Sequence, residues 1–229
     1  MSLKNNPLIL ALDLADLKTA NRFIHLLGPY IDIFKVGSAL FTREGPSVIR
    51  TIKRAGKKVF LDLKYHDIPN TVGMAVRSAQ DLGVDMLTVH TSGGIEMMQE
   101  AVRNKGKMLI LGVTVLTSID TESLRSQLGI ARSVRNQVVH LARVAKSAGL
   151  DGVVASGQEI ELIRRACGKN FLIVVPGVRP RKGSPEDQKR VITPSEALKR
   201  GADFIVVGRP ILRAEDPEKI VKSILNEIK

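Results

Sequence analysis

Aspartate and lysine crowd into one short run of this chain, Asp62-Leu63-Lys64-Tyr65-His66-Asp67-Ile68-Pro69-Asn70-Thr71. The stretch Val59–Lys64 reads as a strand. Alternate side chains of a strand share a face, so Asp62 and Lys64 point the same way while Leu63 packs on the other side. Asp67 falls just past the strand end, and Pro69 disfavours helical backbone at Ile68. Lys35, inside Ile33-Phe34-Lys35-Val36, belongs to the preceding strand and completes an alternating array of two cations and two carboxylates. In such an array each carboxylate is held below its usual pKa, and the flanking carboxylates favour the ammonium form of Lys64. An ammonium group donates a proton. A Schiff-base aldolase, the competing chemistry for Lys64, needs a neutral amine, which two neighbouring carboxylates oppose. A purely structural ion-pair network is the plainer alternative, but desolvation cancels much of the attraction in buried pairs. Charged groups converging on one mouth therefore point to chemistry.

A second signal lies near the C-terminus, at Val206-Val207-Gly208-Arg209-Pro210. Glycine followed by arginine at a strand end suits a phosphate, which accepts from backbone N–H groups and from a guanidinium fork. Arg179 and Gln188 lie in the long connection Pro176–Thr193, within reach of the same anion or of a planar polar ring. Connections of that length in compact domains commonly act as lids or binding loops. Asp13, His90 and Thr117 also stand at or just after strand ends. His90 is expected to shape the floor of the pocket rather than to catalyse. His66 alternates away from Lys64, and His25 and His140 belong to helices. The four histidines share no metal-ligand spacing, and the carboxylates already have ammonium partners, so no metal is expected.

The elements that must hold these residues are eight apolar runs: Leu8–Asp13, Ile33–Val36, Val59–Lys64, Met86–His90, Leu109–Val115, Gly152–Ala155, Leu172–Val175 and Phe204–Val207. They are rich in Val, Ile and Leu with little polar alternation, as in strands buried on both faces. Amphipathic stretches separate them: Leu17–Leu27, Ser47–Ala55, Val72–Leu82, Gly94–Arg103, Gln137–Ala148 and Ser195–Arg200. Pro217–Ile228 closes the chain, and an extra helix is expected around Ser118–Gly129. Glycines at 56, 83, 106, 149 and 201 mark helix exits. Eight β-then-α units predict a single (β/α)8 barrel domain, a TIM barrel, over residues 1–229, with the site at the C-terminal ends of the strands. An open doubly wound sheet is disfavoured, because the first turn, Leu12-Asp13-Leu14-Ala15-Asp16, lacks a G-x-G-x-x-G.

Composition narrows the class. Of 229 residues, 44% are hydrophobic and 25% charged, enough for a sizeable core and unlike a disordered or disulfide-dense chain. The longest apolar stretch, around Met108–Val115, is far too short to span a bilayer. No charged segment followed by an apolar one opens the sequence, so no secretory signal is expected. The single cysteine, Cys167, can form no internal disulfide, and a reducing cytoplasm is the expected compartment. Lys and Arg outnumber Asp and Glu by 35 to 23, giving +12. The cations are dispersed and aromatics make up only 3%, so a nucleic-acid footprint is not expected.

Taken in order, Leu10-Ala11-Leu12-Asp13, Phe34-Lys35-Val36-Gly37, Asp62-Leu63-Lys64 through Asp67-Ile68-Pro69-Asn70-Thr71, Val113–Ser118, Pro176-Gly177-Val178-Arg179, Asp187-Gln188 and Val207-Gly208-Arg209 resemble the orotidine 5′-phosphate decarboxylase family. The D-x-K-x-x-D core alone is shared with sugar-phosphate decarboxylases and aldolases; the remaining motifs are more specific. The resemblance implies cofactor-free and metal-free decarboxylation of orotidine 5′-monophosphate to UMP and carbon dioxide, in de novo pyrimidine biosynthesis. It implies that Lys64 stabilises and then protonates a carbanion at C6, with Asp62 close to the substrate carboxylate. Asp13 and Lys35 would hold the ribose hydroxyls, and Thr117 the pyrimidine. Arg179 and Gln188 would close over phosphate and base, and Gly208 with Arg209 would grip the phosphate. It further implies a homodimer in which Asp67 and Thr71 reach the neighbour's site, with Ile68 of the same loop among the substrate-binding residues. Two alternatives remain: a magnesium-dependent sugar-phosphate enzyme of the same architecture, and a basic nucleic-acid binder without turnover.

Overall fold

The computed structural model describes residues 6–180 and 192–228. Eight parallel strands close into one barrel in chain order: β1 (Leu8–Ala11), β2 (Ile33–Gly37), β3 (Lys58–Tyr65), β4 (Met86–His90), β5 (Leu109–Val113), β6 (Gly152–Val154), β7 (Leu172–Val175) and β8 (Phe204–Val207). Closure is direct, with Leu8 of β1 opposite Ile205 of β8 and Leu10 opposite Val207. The expected barrel is therefore the observed one. Ile9, Ile33, Phe60, Met86, Leu111, Val174 and Phe204 fill its interior, while the opposite strand faces join a larger apolar layer under the helices. That double burial explains the near-continuous Val, Ile and Leu of the strands.

The helices are α1 (Leu17–Leu27), α2 (Ser38–Glu44), α3 (Pro46–Arg54), α4 (Pro69–Asp81), α5 (Gly94–Asn104), α6 (Thr121–Ser126), α7 (Val134–Ser147), α8 (Ile160–Cys167), α9 (Pro194–Lys199), α10 (Arg209–Leu212) and α11 (Pro217–Glu227). Side-chain oxygens of Asp16, Asp120, Ser133, Thr193 and Asp216 accept the free N–H groups that open α1, α6, α7, α9 and α11. Prolines at the first turns of α3, α4, α9 and α11 need no such partner. Sequence patterning passed over α2, α8 and the short α10. It also placed the start of α4 at Val72, where Pro69 opens the helix instead. In α8 the signal was present, since Ile160, Ile163 and Cys167 recur at helical spacing and are buried. The predicted helix-exit glycines Gly149 and Gly201 have φ of 87° and 104°, a region that side chains with a Cβ rarely adopt.

At the opposite end of the barrel from the site, aspartates precede alternate strands. Asp85 accepts from the Val59 amide at 2.8 Å and pairs with Lys53. Asp151 accepts from the Ile110 amide at 2.8 Å and pairs with Lys105. Asp203 accepts from the Ile173 amide at 2.9 Å and from Arg164 at 2.7 Å. Arg164 also donates to the carbonyls of Gly168, Phe171 and Gly201. Each aspartate thus ties its own strand to the preceding one and to a cation on or just after a helix, a device of stability rather than chemistry. Replacing Asp203 with Ala removes a charge-assisted bond to a partly buried amide and should cost about 2 kcal/mol. Urea denaturation should show that loss while turnover per folded molecule stays unchanged.

Candidate active site

The strand ends converge on a cavity of about 260 Å³ at the C-terminal mouth. Its charged wall comes from Asp13, Lys35, Asp62 and Lys64, and its apolar wall from Val113, Val115, Val154, Ala155 and Val206. Thr117, Arg179, Gly208 and Arg209 also line it. Eight residues named from sequence therefore meet in one place. Gly208 sits where an added Cβ would lie 3.2 Å from the Cβ of Ala11 and 3.4 Å from Asp13, so a side chain there would crowd the charged wall. Arg179 is fixed at its backbone, donating to the Ile192 carbonyl at 3.0 Å, which joins the two ends of the segment 180–191. Gln188 lies outside the described residues.

The charges form a chain. Lys35 Nζ lies 3.3 Å from Asp13 and 3.5 Å from Asp62, and Lys64 Nζ lies 3.0 Å from Asp62 Oδ1. Asp62 is the pivot, with a side chain only 14% exposed and an ammonium group on either side. Burial pushes its pKa up, but Lys35, Lys64 and a hydroxyl donated by Thr88 outweigh that, and the net shift is downward. Asp13 and Lys35 are held near the Ala11 and Gly208 backbone by pairing of β1 with β2 and β8.

The strand alternation that placed Asp62 and Lys64 on one face is only part of the geometry. Between Leu61 and Tyr65 the β3 ladder slips against β4, four steps on one strand facing two on the other from Leu87 to Val89. Lys64 takes φ of 53°, and among the described residues no other non-glycine has positive φ. Such backbone costs on the order of 1–3 kcal/mol and persists only where surroundings impose it. Here the Lys64 amide donates to Thr88 Oγ1 at 2.9 Å, and the same hydroxyl donates to Asp62 Oδ1 at 3.0 Å. Thr88 was not singled out from sequence. A threonine inside Met86-Leu87-Thr88-Val89 reads as an ordinary β-branched strand residue, and only the slipped register shows its use.

Asp67, Ile68 and Thr71 do not line this cavity. Within one chain the second carboxylate of the array is Asp13, not Asp67. Asp67 is exposed and accepts from the Ile68 amide at 2.7 Å; Ile68 is 66% exposed. Its loop opens α4, which packs on α5, and Met74 and Ile95 on those helices are exposed too. His90 is half-buried with its ring 5.3 Å from that of exposed His66. Its burial, the His66 ring and the Lys64 charge hold its pKa below the usual histidine value. Among the described residues no three His, Cys, Asp or Glu side chains are grouped to hold a metal ion, and no helix is long and apolar enough to cross a membrane.

A lowered carboxylate pKa links ionisation to folding. The stability that Asp62 gains from its ammonium neighbours is fully present above its unfolded pKa of 3.8 and is lost as pH falls through the lower folded value. Acid titrations of wild type and Asp62→Asn should therefore differ below pH 3.8, the wild type losing stability more steeply. Parallel acid limbs would contradict the shift.

Comparison with known proteins places this geometry in context. The profile of the orotidine 5′-phosphate decarboxylase / HUMPS family matches residues 6–224. The orotidine 5′-phosphate decarboxylase of Moorella thermoacetica is 49% identical, covering 97% of this chain and 92% of that protein. That of Syntrophotalea carbinolica is 50% identical over 96% of this chain and 94% of its own length. The crystal structure of orotidine 5′-phosphate decarboxylase from Lactobacillus acidophilus superposes with a TM-score of 0.88 at 37% identity, covering 98% of this chain and all of that one.

Proposed function

The chain belongs to the orotidine 5′-phosphate decarboxylase / HUMPS family, and on that premise we propose that it converts orotidine 5′-monophosphate to UMP and carbon dioxide in pyrimidine biosynthesis. The observation that carries the reading is the Asp13–Lys35–Asp62–Lys64 chain set against an apolar wall, with Gly208 and Arg209 on the same cavity.

The bond from C6 to the carboxylate breaks, carbon dioxide departs, and the electron pair stays on C6. The Lys64 ammonium, 3.0 Å from Asp62, stabilises that pair and then transfers a proton to C6, giving UMP. Lys64 regains a proton from solvent. A positive charge already in place where negative charge develops needs no reorganisation, and this is commonly the largest contribution to rate. Asp62 lies beside the substrate carboxylate and fixes the position of both ammonium groups. Asp13 and Lys35 receive the ribose hydroxyls, Thr117 the pyrimidine, and Arg179 with Gln188 close over base and phosphate. Gly208 and Arg209 bind the phosphate, whose distant binding energy holds C6 against Lys64. The ammonium supplies the proton and the charge, so the reaction asks for no metal or other cofactor. The whole chain, 1–229, acts as one cytoplasmic barrel domain.

Two variants separate these roles. Lys64→Ala should lose at least about a thousandfold in kcat while keeping its fold, and Arg209→Ala should chiefly raise KM, by about tenfold or more. A Lys64→Ala enzyme that kept its kcat would remove the proposed proton donor.

A second copy completes the site. Asp67, Ile68 and Thr71 at the start of α4 do not line their own cavity, and exposed Ile68, Met74 and Ile95 form an apolar rim suited to a twofold partner. Asp67, Ile68 and Thr71 then enter the neighbour's site. Mixing inactive Lys64→Ala with inactive Asp67→Ala subunits tests this directly. A heterodimer regains one native site, so random reassociation should restore about a quarter of wild-type turnover. No recovery in a mixture shown to exchange subunits would place Asp67 elsewhere.

A further inference from the structure

Thr88 is fully buried on β4 and does not line the cavity, yet its hydroxyl meets two members of the charge chain. The polarity of these bonds is forced. A backbone N–H can only donate, so Thr88 Oγ1 accepts from Lys64; an ionised carboxylate can only accept, so the hydroxyl proton goes to Asp62. Lys64 Nζ returns to the same Asp62 Oδ1, and the contacts close a ring through Lys64, Thr88 and Asp62. The ring sits where the β3–β4 register slips and where Lys64 has φ of 53°. A slipped ladder leaves the Lys64 amide without its regular strand acceptor, and the hydroxyl stands in for it.

Resting on the proposed decarboxylation, we infer that Thr88 is a positioning residue for it, fixing the Lys64 backbone and the Asp62 carboxylate relative to each other so that the ammonium meets C6. The hydroxyl, not the bulk of the side chain, carries this role. Valine has nearly the same shape and cannot make either bond, whereas serine keeps both and loses only a methyl. Gly208 and Arg209, which follow β8, lie across the barrel from Thr88 on β4 and are untouched by either change.

Thr88→Val should lower kcat by about tenfold or more with KM within about threefold of wild type. Thr88→Ser should return kcat to within about threefold, a rescue that loss of packing alone would not give. Hydrogen exchange at the Lys64 amide, followed by NMR without substrate, should be at least about tenfold faster in Thr88→Val and remain protected in Thr88→Ser. Unchanged kcat in Thr88→Val, or Thr88→Ser as impaired as Thr88→Val, would overturn the inference. Should Thr88→Val fail to fold, Thr88→Ala set against Thr88→Ser makes the same comparison. If the wild type did not turn over orotidine 5′-monophosphate, the proposed reaction would fall. The amide exchange would still decide the hydroxyl's role, equal rates in wild type and Thr88→Val overturning it.

Discussion

A carboxylate taken most of the way out of water stays ionised only if charge and donors surround it, and Asp62 sets that condition for the whole mouth of the barrel. Two ammonium groups and a hydroxyl meet its oxygens, and each comes from a particular strand. Lys35 must arrive from β2, Thr88 from β4, and Lys64 from beyond a slip in the same strand as Asp62. Asp13, just past the end of β1, then balances Lys35 on its outer side. The array therefore exists only in the closed barrel. Each ionic contact is of modest net stability, because desolvation offsets attraction. What the arrangement secures is a charge fixed in place beside apolar Val113, Val115, Val154 and Val206.

The two ends of the barrel divide the work. At the N-terminal end, Asp85, Asp151 and Asp203 bond to amides of the neighbouring strands and to Lys53, Lys105 and Arg164, so register is secured away from the chemistry. At the C-terminal end the polar groups are left to face a ligand. The same residue types thus hold strands in register at one end and line a cavity at the other. The difference lies in what they bond: the aspartates below accept from strand amides as well as from a cation, whereas Asp62 above meets two ammonium groups and a hydroxyl.

Much of this was legible in the sequence. Asp13, Lys35, Asp62, Lys64, Thr117, Arg179, Gly208 and Arg209 stood out because polar residues at the ends of apolar runs are conspicuous, and barrel topology sends those ends to one mouth. The conformation of Lys64 and the use of Thr88 were not legible. Both depend on the register of β3 against β4, which local pattern does not encode. Simple alternation gave Asp62 and Lys64 a common side without revealing the left-handed backbone that places Lys64. The seven-residue α2 and eight-residue α8 were missed because short helices carry few periodic positions; Pro69 keeps Ile68 out of the helix as expected, but it also opens α4, whose start was placed three residues later at Val72. For Asp67, Ile68 and Thr71, one chain's geometry shows only that they leave their own cavity.

The central claim is that fixed charge from the chain's own lysines and aspartates decarboxylates the nucleotide without help from a metal. The most direct measurement follows the absorbance of orotidine 5′-monophosphate over purified protein, with and without a strong chelator, with UMP identified as product. The account predicts turnover to UMP at the same rate in both. No UMP from folded protein, or turnover that the chelator abolishes and magnesium restores, would contradict it and point to the sugar-phosphate chemistry that shares the D-x-K-x-x-D core.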